Sequence, residues 1–555
     1  MKLIATTDYA CNIGQCFYRR SHLDEMHKYL ASIGVTRHHW IYEPTWDHYG
    51  IYDDGFDLLA EAVKSAHAHG IEFYAEIKPF EGGGDGNSFP HTLPFPEGVC
   101  ALKDIRGIYT AARPFTAANP HFSLKRRPGT YEVKGPVSTI RLVKNDDKLT
   151  RIRPEYLSIW ISKTNNRFEQ YKGPVSFRES VEWRQAYPKS KECRILHLEG
   201  LQIPDGYNYI LVRCSLADRN GDFTNERGSI IELQSKDGSV IPSVISTGKV
   251  DFEEHQRSCT SPLNEKITRY FRLPEVCEIF HDTDKGKWHY QDFYSFDETV
   301  RINVPYTLDR EGYIAVACGK PEYMLGNLHP IYPEVRAHWL DMIRHCLDKG
   351  MDGINIRTAN HTRSPEDWEY GFNDLVLEIA NGKTDYPTIR RINGDAYTQF
   401  LREARDLIKN RGKSISIQLY SQMLMPDNRI GRTNYIPPNF EWQWETWVRE
   451  IADELEFRGA WTLRPENLSQ VIETFGAITR EAGKPFCFQG NMKEISFEGP
   501  LHFTGMEIDK ISKDPSINGF VLYETNKFTR LNKAGQIEGS PELKRLLEKY
   551  RFTEK

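Results

Sequence analysis

The chain has 555 residues, more than one ordinary domain needs, and its 39% hydrophobic and 27% charged residues are typical of a globular protein. A net charge of -5 excludes a general attraction to nucleic acid or anionic membranes, and no apolar run is long enough to span a membrane. The aromatic content of 12% suits stacking on sugar rings, and it equally suits a β-rich core.

The first residues, MKLIATTDYACNIGQ, contain no long apolar stretch, so we expect no signal peptide. The expected location is the cytoplasm, or the periplasm or exterior if a signal has been removed. The 10 cysteines are scattered and form no C-x-x-C motif. A chain of this size does not need disulfides, so the pattern predicts free buried thiols.

Residues 1–135 alternate short apolar strands with amphipathic helices. Glycines follow both helices, and the joints are short, which predicts a parallel sheet with helices outside it. The predicted strands are 3–7, 35–42 and 71–77, and the predicted helices are 21–33 and 56–69.

The pattern changes in residues 136–250, which are rich in β-type runs such as TIRLV, YLSIWIS and CRILHLEGL. Turn residues separate these runs, and no good helix interrupts them. This predicts an antiparallel β-sandwich-like domain inserted into the first domain. Residues 251–310 are interpreted as a return segment of mixed structure.

The alternation resumes in residues 311–555, beginning with the run YIAVAC at 313–318. The pattern predicts a (β/α)8 barrel, the TIM-barrel fold, interrupted by the inserted domain. A doubly wound open sheet is the alternative, but no G-x-G-x-x-G follows the first strand and no P-loop occurs. The later predicted strands are 351–356, 414–420, 459–463, 485–489 and 519–523, and the helices are 333–347, 395–410, 467–482, 505–512 and 540–550.

Two carboxylates are needed to cleave a glycosidic bond, and barrel enzymes carry their working residues at the C-terminal ends of the strands. Glu76 and Glu524 are the favoured catalytic pair, with Glu43 in reserve. Lys78 lies two residues after Glu76 and favours its ionised form, while aromatic neighbours favour a protonated Glu524. The alternative is that Glu76 and Lys78 form only a structural ion pair.

Other polar and aromatic residues at strand ends are candidates for binding a polyhydroxylated substrate, although any one of them can simply be solvated. Trp447 is the tryptophan most expected to pack a helix instead. No H-E-x-x-H motif occurs and the adjacent His38 and His39 face opposite ways, so the sequence predicts no metal and no other cofactor. The binding candidates are Asp8, Lys78, Asn355, Arg357, His361, Tyr420, Trp442, Trp444, Arg464, Gln489, Asn491 and Trp46.

Three stretches carry a resemblance to a known group of proteins: NLHPIYPEVRAHWLDMIRHCLDKGMDGINIRTANHT, DWEYGFND and FDLLAEAVKSAHAHGIEFYAEIKPF. They resemble the glycosyl-hydrolase-like TIM-barrel proteins of the glycoside hydrolase family ten-like type, found with bacterial polysaccharide degradation. The resemblance covers the barrel but not the β-rich part. It implies a barrel that acts on glycans.

The chain departs from that group at the fourth strand, where relatives often carry Asp and this sequence has Asn355 and Arg357. Asp352 lies at the start of the strand, on the wrong side of the barrel. Arg357 and His361 suggest an acidic or sulfated sugar, because an arginine fork matches carboxylate and sulfate.

The sequence therefore predicts a glycoside hydrolase with a carbohydrate substrate and no nucleic-acid or membrane partner, and it makes no prediction of oligomeric state. One alternative is a barrel that has lost catalysis and binds glycans. Another is a lyase or isomerase on the same fold, with Lys78, Tyr420 or His361 as base.

Overall fold

The structure is a computed structural model, in which a large part of the 555-residue chain is described. Statements below refer to these parts. The described residues are 1–9, 18–42, 56–80, 88–89, 101–103, 109–110, 115–116, 119–130, 135–144, 146–162, 169–184, 191–207, 209–214, 230–241, 243–249, 280–282, 287–289, 312–318, 323–358, 369–424, 436–458, 465–491 and 508–549.

Eight parallel strands close into a barrel in which each strand pairs with the next along the chain and the last pairs with the first. The predicted closed barrel is confirmed, and the alternative of an open sheet is excluded. The strands are β1 (Lys2–Asp8), β2 (Arg37–Ile41), β3 (Glu72–Ile77), β4 (Gly353–Ile356), β5 (Ser414–Tyr420), β6 (Glu454–Arg458), β7 (Phe486–Asn491) and β8 (Gly519–Tyr523).

Helices alternate with these strands, as their apolar spacing predicts. Asp57 begins the second helix by accepting a hydrogen bond from the backbone N–H of Ala60, and Pro333 occupies the first turn of the third. Between β5 and β6 the chain forms a short α-turn, Trp444–Thr446, that continues into a π-helix, Trp447–Ile451. The helices are α1 (Arg20–Ser32), α2 (Leu58–Ala68), α3 (Pro333–Asp348), α4 (Asp374–Ile379), α5 (Tyr386–Asn410), α6 (Pro465–Glu481), α7 (Ile508–Lys513) and α8 (Pro541–Lys549).

Two details of the predicted barrel need correction. The strand Gly312–Cys318, expected to resume the barrel, instead pairs antiparallel with Tyr209–Cys214 and Ser243–Lys249 outside it. The sixth barrel strand is β6, which precedes the predicted strand 459–463, and that range lies outside the described residues.

Two five-stranded antiparallel sheets lie between β3 and β4 in the sequence. Apolar residues of both sheets, including Ile140, Leu196, Ile210 and Val212, belong to one buried cluster. The proposed limits of an inserted domain stay predictions. One sheet has the order Glu169–Gln170, Leu157–Ser162, Tyr209–Cys214, Gly312–Cys318, Ser243–Lys249, and the other Ser176–Arg184, Lys191–Glu199, Thr139–Val143, Ile230–Gln234, Val240–Ile241.

Smaller elements complete the described fold. The strand Ser123–Lys125 pairs antiparallel with Tyr323–Leu328, so the chain leaves for the β-rich part and returns at neighbouring strands. Short 3-10 turns occur at Pro120–Phe122, Pro154–Tyr156, Ser421–Leu424 and Thr525–Lys527. The remaining pairings are Phe280–Asp282 with Lys287–His289, Thr529–Leu531 with Ile537–Gly539, and Ser88–Phe89 with Ala101–Lys103 and Tyr109–Thr110.

The N-terminal end of the barrel interior is charged. The buried guanidinium of Arg37 donates to Glu72 on β3 at 2.9 Å and also to Glu454 on β6. Lys2 lies 3.5 Å from Glu72 and 3.9 Å from Glu454. We call these four residues the floor cluster, and they join β1, β2, β3 and β6 beneath an apolar group of Ile4, Cys487 and Val521.

Asp352 also lies at this end, just before β4. Its carboxylate is 2.7 Å from Nε2 of His67 and accepts from the backbone N–H of Phe73 at 2.9 Å. The aspartate of the MDGINI motif therefore connects α2, β3 and β4 away from the opposite end of the barrel.

Two further observations concern the described residues as a whole. None of their helices is both long and apolar enough to cross a membrane. Four cysteines are buried and free of disulfides: Cys193, Cys214, Cys346 and Cys487.

Candidate active site

Three carboxyl groups lie at the C-terminal end of the barrel, which we call the mouth. Asp8 ends β1, Glu76 is the penultimate residue of β3, and Glu524 follows β8 directly. Alternation along each strand turns Asp8 and Glu76 toward the interior, and both align with Ile41 in the register of β2. All three side chains are buried, although they are ionisable.

Glu76 is held by two arginines from other strands. Arg357, just after β4, and Arg458, the last residue of β6, each place Nη1 at 3.3 Å from the same oxygen, Oε1 of Glu76. The other oxygen, Oε2, has no hydrogen-bond partner among the residues described. Arg458 also lies over the ring of Tyr523, with 4.3 Å between the guanidinium carbon and the ring centroid.

This environment keeps Glu76 ionised. Burial alone raises the pKa of a carboxyl group, but here Arg458, Arg357, His39 and Lys78 outweigh it and hold the pKa of Glu76 below its ordinary value. The cation that the sequence placed beside Glu76, Lys78, is therefore one of several, and the arginines act more strongly.

The environment of Glu524 favours its protonated form instead. Burial, and next the neighbouring carboxylate of Asp8, raise the pKa of Glu524 to about 7, against the opposing effects of Lys527, Arg458 and Arg357. The same two arginines thus act on both Glu76 and Glu524, which lie at the same end of the barrel. One carboxyl favours the charged form and the other the protonated form.

A ladder of amides extends from the mouth into the barrel. Tyr420 donates to Gln418 at 2.9 Å, and Gln418 donates to Asn355 at 2.8 Å. Asn355 then donates to Ser416 at 3.1 Å and to Oε2 of Glu456 at 2.9 Å. The Glu456 carboxylate only accepts, so it fixes the orientation of the Asn355 amide and, through Asn355, that of the Gln418 amide.

Several polar atoms beside the ladder are buried and lack a hydrogen-bond partner within the described part of the chain. They are Oε1 of Glu456, both amide atoms of Gln489, and both ring nitrogens of His39. His39 lies 3.4 Å from Glu456, in the range of an ion pair if the ring is protonated. Buried polar groups are nearly always satisfied in proteins, so atoms with no protein partner are those that a polar ligand can engage.

Most of the residues predicted to form the site meet at the mouth or just below it. Tyr420 and Asn355 belong to the amide ladder, and burial raises the pKa of the Tyr420 phenol, so it stays protonated at neutral pH. Glu43, Trp46, His361 and Arg464 lie outside the described residues, as does the side chain of Asn491 at the end of β7. The predicted residues found around the mouth are Asp8, Glu76, Lys78, Asn355, Arg357, Tyr420, Gln489 and Glu524.

The two tryptophans predicted to stack on sugars have other neighbours. Trp442 is 7% exposed and stacks on Phe440 with ring centroids 5.1 Å apart, with the edges of further aromatic rings around it. Trp444 is half-buried and packs edge-on against Phe475 of α6. Trp447 is buried, donates to Thr398 and packs its helix, as expected.

Three residues of the site were missing from the sequence-based candidates: Arg458, Glu456 and His39. The first two were missed because β6 was placed five residues too late along the chain. The stretch Glu454-Leu-Glu-Phe-Arg458 alternates polar and apolar residues, which is the period-two pattern of a strand with one polar face. His39 was considered only as a metal ligand, and within the described ranges no cluster of His, Cys, Asp or Glu could hold a metal ion.

No protein-family profile matches the chain, and no curated protein matches it in sequence. Among solved structures, the glycoside hydrolase domain of PelA from Pseudomonas aeruginosa is 12% identical, with a TM-score of 0.21 over 36% of this chain. The spore cortex-lytic enzyme SleL of Bacillus megaterium is 10% identical, with a TM-score of 0.19 over 40% of this chain. A family GH13_31 enzyme is 9% identical, with a TM-score of 0.31 over 94% of this chain.

The chain spans 65% of the PelA domain, 49% of the SleL structure and 65% of the GH13_31 enzyme. Similarity at these TM-scores carries no argument about function.

Proposed function

We propose that this chain is a glycoside hydrolase that acts on a polysaccharide or an oligosaccharide. Glu524 is the general acid and Glu76 the nucleophile or base. The observation that carries this proposal is that the pKa values of the two carboxyl groups shift in opposite directions. The pKa of Glu524 is raised to about 7, while that of Glu76 is lowered. Two carboxyl groups with separated pKa values are the arrangement that glycosidic cleavage requires.

The chemistry follows from these charges. Glu524 gives its proton to the glycosidic oxygen as the bond from that oxygen to the anomeric carbon breaks. The ionised Glu76 either attacks the anomeric carbon or removes a proton from an attacking water. Oε2 of Glu76 is the oxygen available for this role, because both arginines hold Oε1. The arginines keep the nucleophile charged at neutral pH, while burial and, next, Asp8 favour the protonated form of the acid.

The proposed substrate class extends to acidic or sulfated glycans. Arg357, Arg458 and Lys78 bring three cationic groups to the mouth, and anionic sugars carry groups that arginine recognises through paired hydrogen bonds. We also propose that the barrel belongs to the glycoside hydrolase family ten-like group that its motifs resemble. The antiparallel sheets then form an inserted β-sandwich-like domain, which extends beyond the predicted residues 136–250 to include the strand Gly312–Cys318.

A barrel that binds glycans without cleaving them is the second candidate. Two observations favour it: Glu76 is tightly ion-paired, and the fourth strand presents Asn355 and Arg357 where related barrels often carry an acid. The third candidate is a lyase or isomerase. Tyr420 cannot be its base, because a phenol with a raised pKa is already protonated at neutral pH.

The test is hydrolysis of a panel of neutral, uronic-acid and sulfated glycans by the wild type and by Glu76→Gln and Glu524→Gln. Each substitution should lower kcat by about 1000-fold or more, because it removes a group that acts on the reacting atoms. Glu334→Gln, at an exposed position on α3, is the matched control and should keep wild-type activity.

Full activity in both site variants would overturn the assignment of the two carboxyl groups. Glycan binding without any cleavage by the wild type would favour the second candidate. An unsaturated product that absorbs in the ultraviolet would favour a lyase.

A further inference from the structure

A continuous line of side-chain hydrogen bonds runs behind the mouth, in the layer between the barrel and its helices. It begins at Ser65 on α2 and passes through His27 on α1, His38 on β2 and Thr7 on β1 to Thr525, which follows Glu524. The four successive contacts are Ser65 Oγ to His27 Nδ1 at 2.8 Å, His27 Nε2 to His38 Nδ1 at 2.9 Å, His38 Nε2 to Thr7 Oγ1 at 2.7 Å, and Thr7 Oγ1 to Thr525 Oγ1 at 2.8 Å. We call this line the relay.

Both histidines of the relay are neutral. Burial lowers the pKa of His27 to about 3, with His69 and His67 acting in the same direction and Asp24 and the backbone of Leu23 opposing them. Burial, His27 and His39 lower the pKa of His38. Phe73 packs against the edges of both rings, which keeps this layer apolar.

Neutrality gives the relay one direction. A neutral imidazole has a single N–H, so each histidine donates from one ring nitrogen and accepts at the other. The three bonds from Ser65 to Thr7 therefore all point the same way, while either hydroxyl can donate in the bond between Thr7 and Thr525. Removing one member in the middle leaves the next buried group without its partner, which is costly.

The position of the last contact suggests its purpose. Thr7 directly precedes Asp8, and Thr525 directly follows Glu524. Asp8 raises the cost of ionising Glu524, and the two carboxylates repel and tend to separate whenever both are ionised. The hydrogen bond between Thr7 and Thr525 joins the same two chain segments from the outer side and opposes that separation.

We propose that the relay is a positioning device, and that its terminal bond between Thr7 and Thr525 holds Asp8 and Glu524 together at the mouth. The proposal rests on the proposed function only in its consequence for turnover. Thr7, Thr525 and His38 are positioning residues, since their side chains face the outer layer and act through Asp8 and Glu524. The charged and titratable groups that act on Glu524 are Asp8 from β1, Arg357 after β4, Arg458 from β6, and Tyr523 and Lys527 from its own segment.

The experiment compares Thr7→Val and Thr525→Val, which remove a hydroxyl at nearly constant volume, with Thr7→Ser and Thr525→Ser, which keep it. Thr36→Val is the matched control, because that hydroxyl bonds to the carbonyl of Leu3 at the other end of the barrel. The first readout is the titration of the Glu524 carboxyl by difference infrared spectroscopy, with Glu524→Gln as the reference. Both valine variants should lower this pKa by about one pH unit, since Asp8 and Glu524 move apart, while the serine and Thr36→Val variants should match the wild type.

The second readout is the pH profile of glycan hydrolysis. The valine variants should lose about tenfold in kcat with little change in KM, and their alkaline limb should move to lower pH. An unchanged Glu524 titration in a folded Thr7→Val or Thr525→Val variant overturns the relay as a positioning device. The infrared readout needs no turnover, so absence of hydrolysis by the wild type would refute the proposed function while leaving this test intact.

Discussion

The side-chain amide nitrogen of Asn355 lies 2.9 Å from a carboxylate oxygen of Glu456. The side-chain amide of the fourth strand therefore donates to a carboxylate of the sixth strand. The fourth strand supplies a neutral donor here, and β6 supplies the negative charge. This relationship explains how the fourth strand can lack an acid without leaving the barrel interior uncharged.

Placing an acid on the fourth strand should destabilise the protein. Asn355→Asp loses the hydrogen bonds donated to Ser416 and Glu456 and places two buried carboxylates against each other. We expect a loss on the order of 3 kcal/mol in the free energy of unfolding, measured by denaturant titration at pH 7. The double variant Asn355→Asp with Glu456→Gln removes the like charge and should recover most of the loss; no recovery would mean that charge repulsion is not the cause.

Glu524 should make stability fall as the pH rises. Its pKa is raised from 4.5 to about 7 in the folded protein, so between these values the folded state keeps a proton that the unfolded state has released. The stabilisation is fully present below pH 4.5 and is lost as the pH rises through 7. Relative to Glu524→Gln, the wild type should lose on the order of 3 kcal/mol between pH 4.5 and 8. Parallel stability curves for the two proteins would contradict a raised pKa.

Glu76 should show the opposite dependence. Its pKa is lowered, so its contribution is present above the unfolded value and is lost as the pH falls through the folded value. Glu76→Gln leaves the buried Arg357 and Arg458 without their shared carboxylate, and we expect a cost of about 3–5 kcal/mol at pH 7. Chemical denaturation should show a smaller difference in the free energy of unfolding between the wild type and Glu76→Gln in strong acid than at pH 7. Glu334→Gln should match the wild type at both pH values.

The aspartate of the MDGINI motif should be structural. Asp352→Asn weakens the contacts to His67 and to the backbone of Phe73, and we expect a loss of about 1 kcal/mol in stability with kcat and KM unchanged. Thermal unfolding and glycan hydrolysis measure the two effects separately. A fall in kcat at constant stability would place Asp352 in the chemistry instead.

Trp442 should contribute to the core more than to substrate binding. It is 7% exposed and lies among Phe440, Tyr397 and Trp447, so Trp442→Ala should cost about 3–5 kcal/mol. Trp444→Ala, at a half-buried position on the next turn, should cost clearly less. Isothermal titration with an oligosaccharide on folded Trp442→Phe would show near wild-type affinity, and a large loss of affinity there would restore Trp442 as a sugar platform.

The sequence was sufficient to predict the closed barrel, because strands and helices with short joints alternate at regular spacing. The strand-end rule also selected Glu76, Glu524 and Asp8, since each directly ends or follows an apolar run. The rule depends on the position of every strand, and for β6 the short apolar run GAWTL was preferred over the alternating ELEFR. Glu456 and Arg458 are therefore absent from the predicted site residues. Strand Gly312–Cys318 was wrongly predicted to belong to the barrel, because its apolar pattern suits a barrel strand and an antiparallel sheet equally well.

The relay was beyond what the sequence could predict. His27, His38 and Thr7 are ordinary residues of one helix and two strands, and nothing in their spacing connects them to Thr525 near the other end of the chain. Their association depends on barrel closure, which brings the first strand beside the last. Side chains brought together by closure are the part of a site that local patterns do not reveal.

The floor cluster has a consequence for synthesis of the protein on the ribosome. Arg37 emerges early, with Glu72 soon after it, but Glu454 is translated only after the whole β-rich part and two more barrel strands. A nascent chain that stops short of β6 would bury a guanidinium with only part of its compensating charge, which disfavours a half-barrel. Assembly of the barrel is therefore expected to wait for its C-terminal half, so that nascent intermediates keep the N-terminal strands exposed and in need of chaperones.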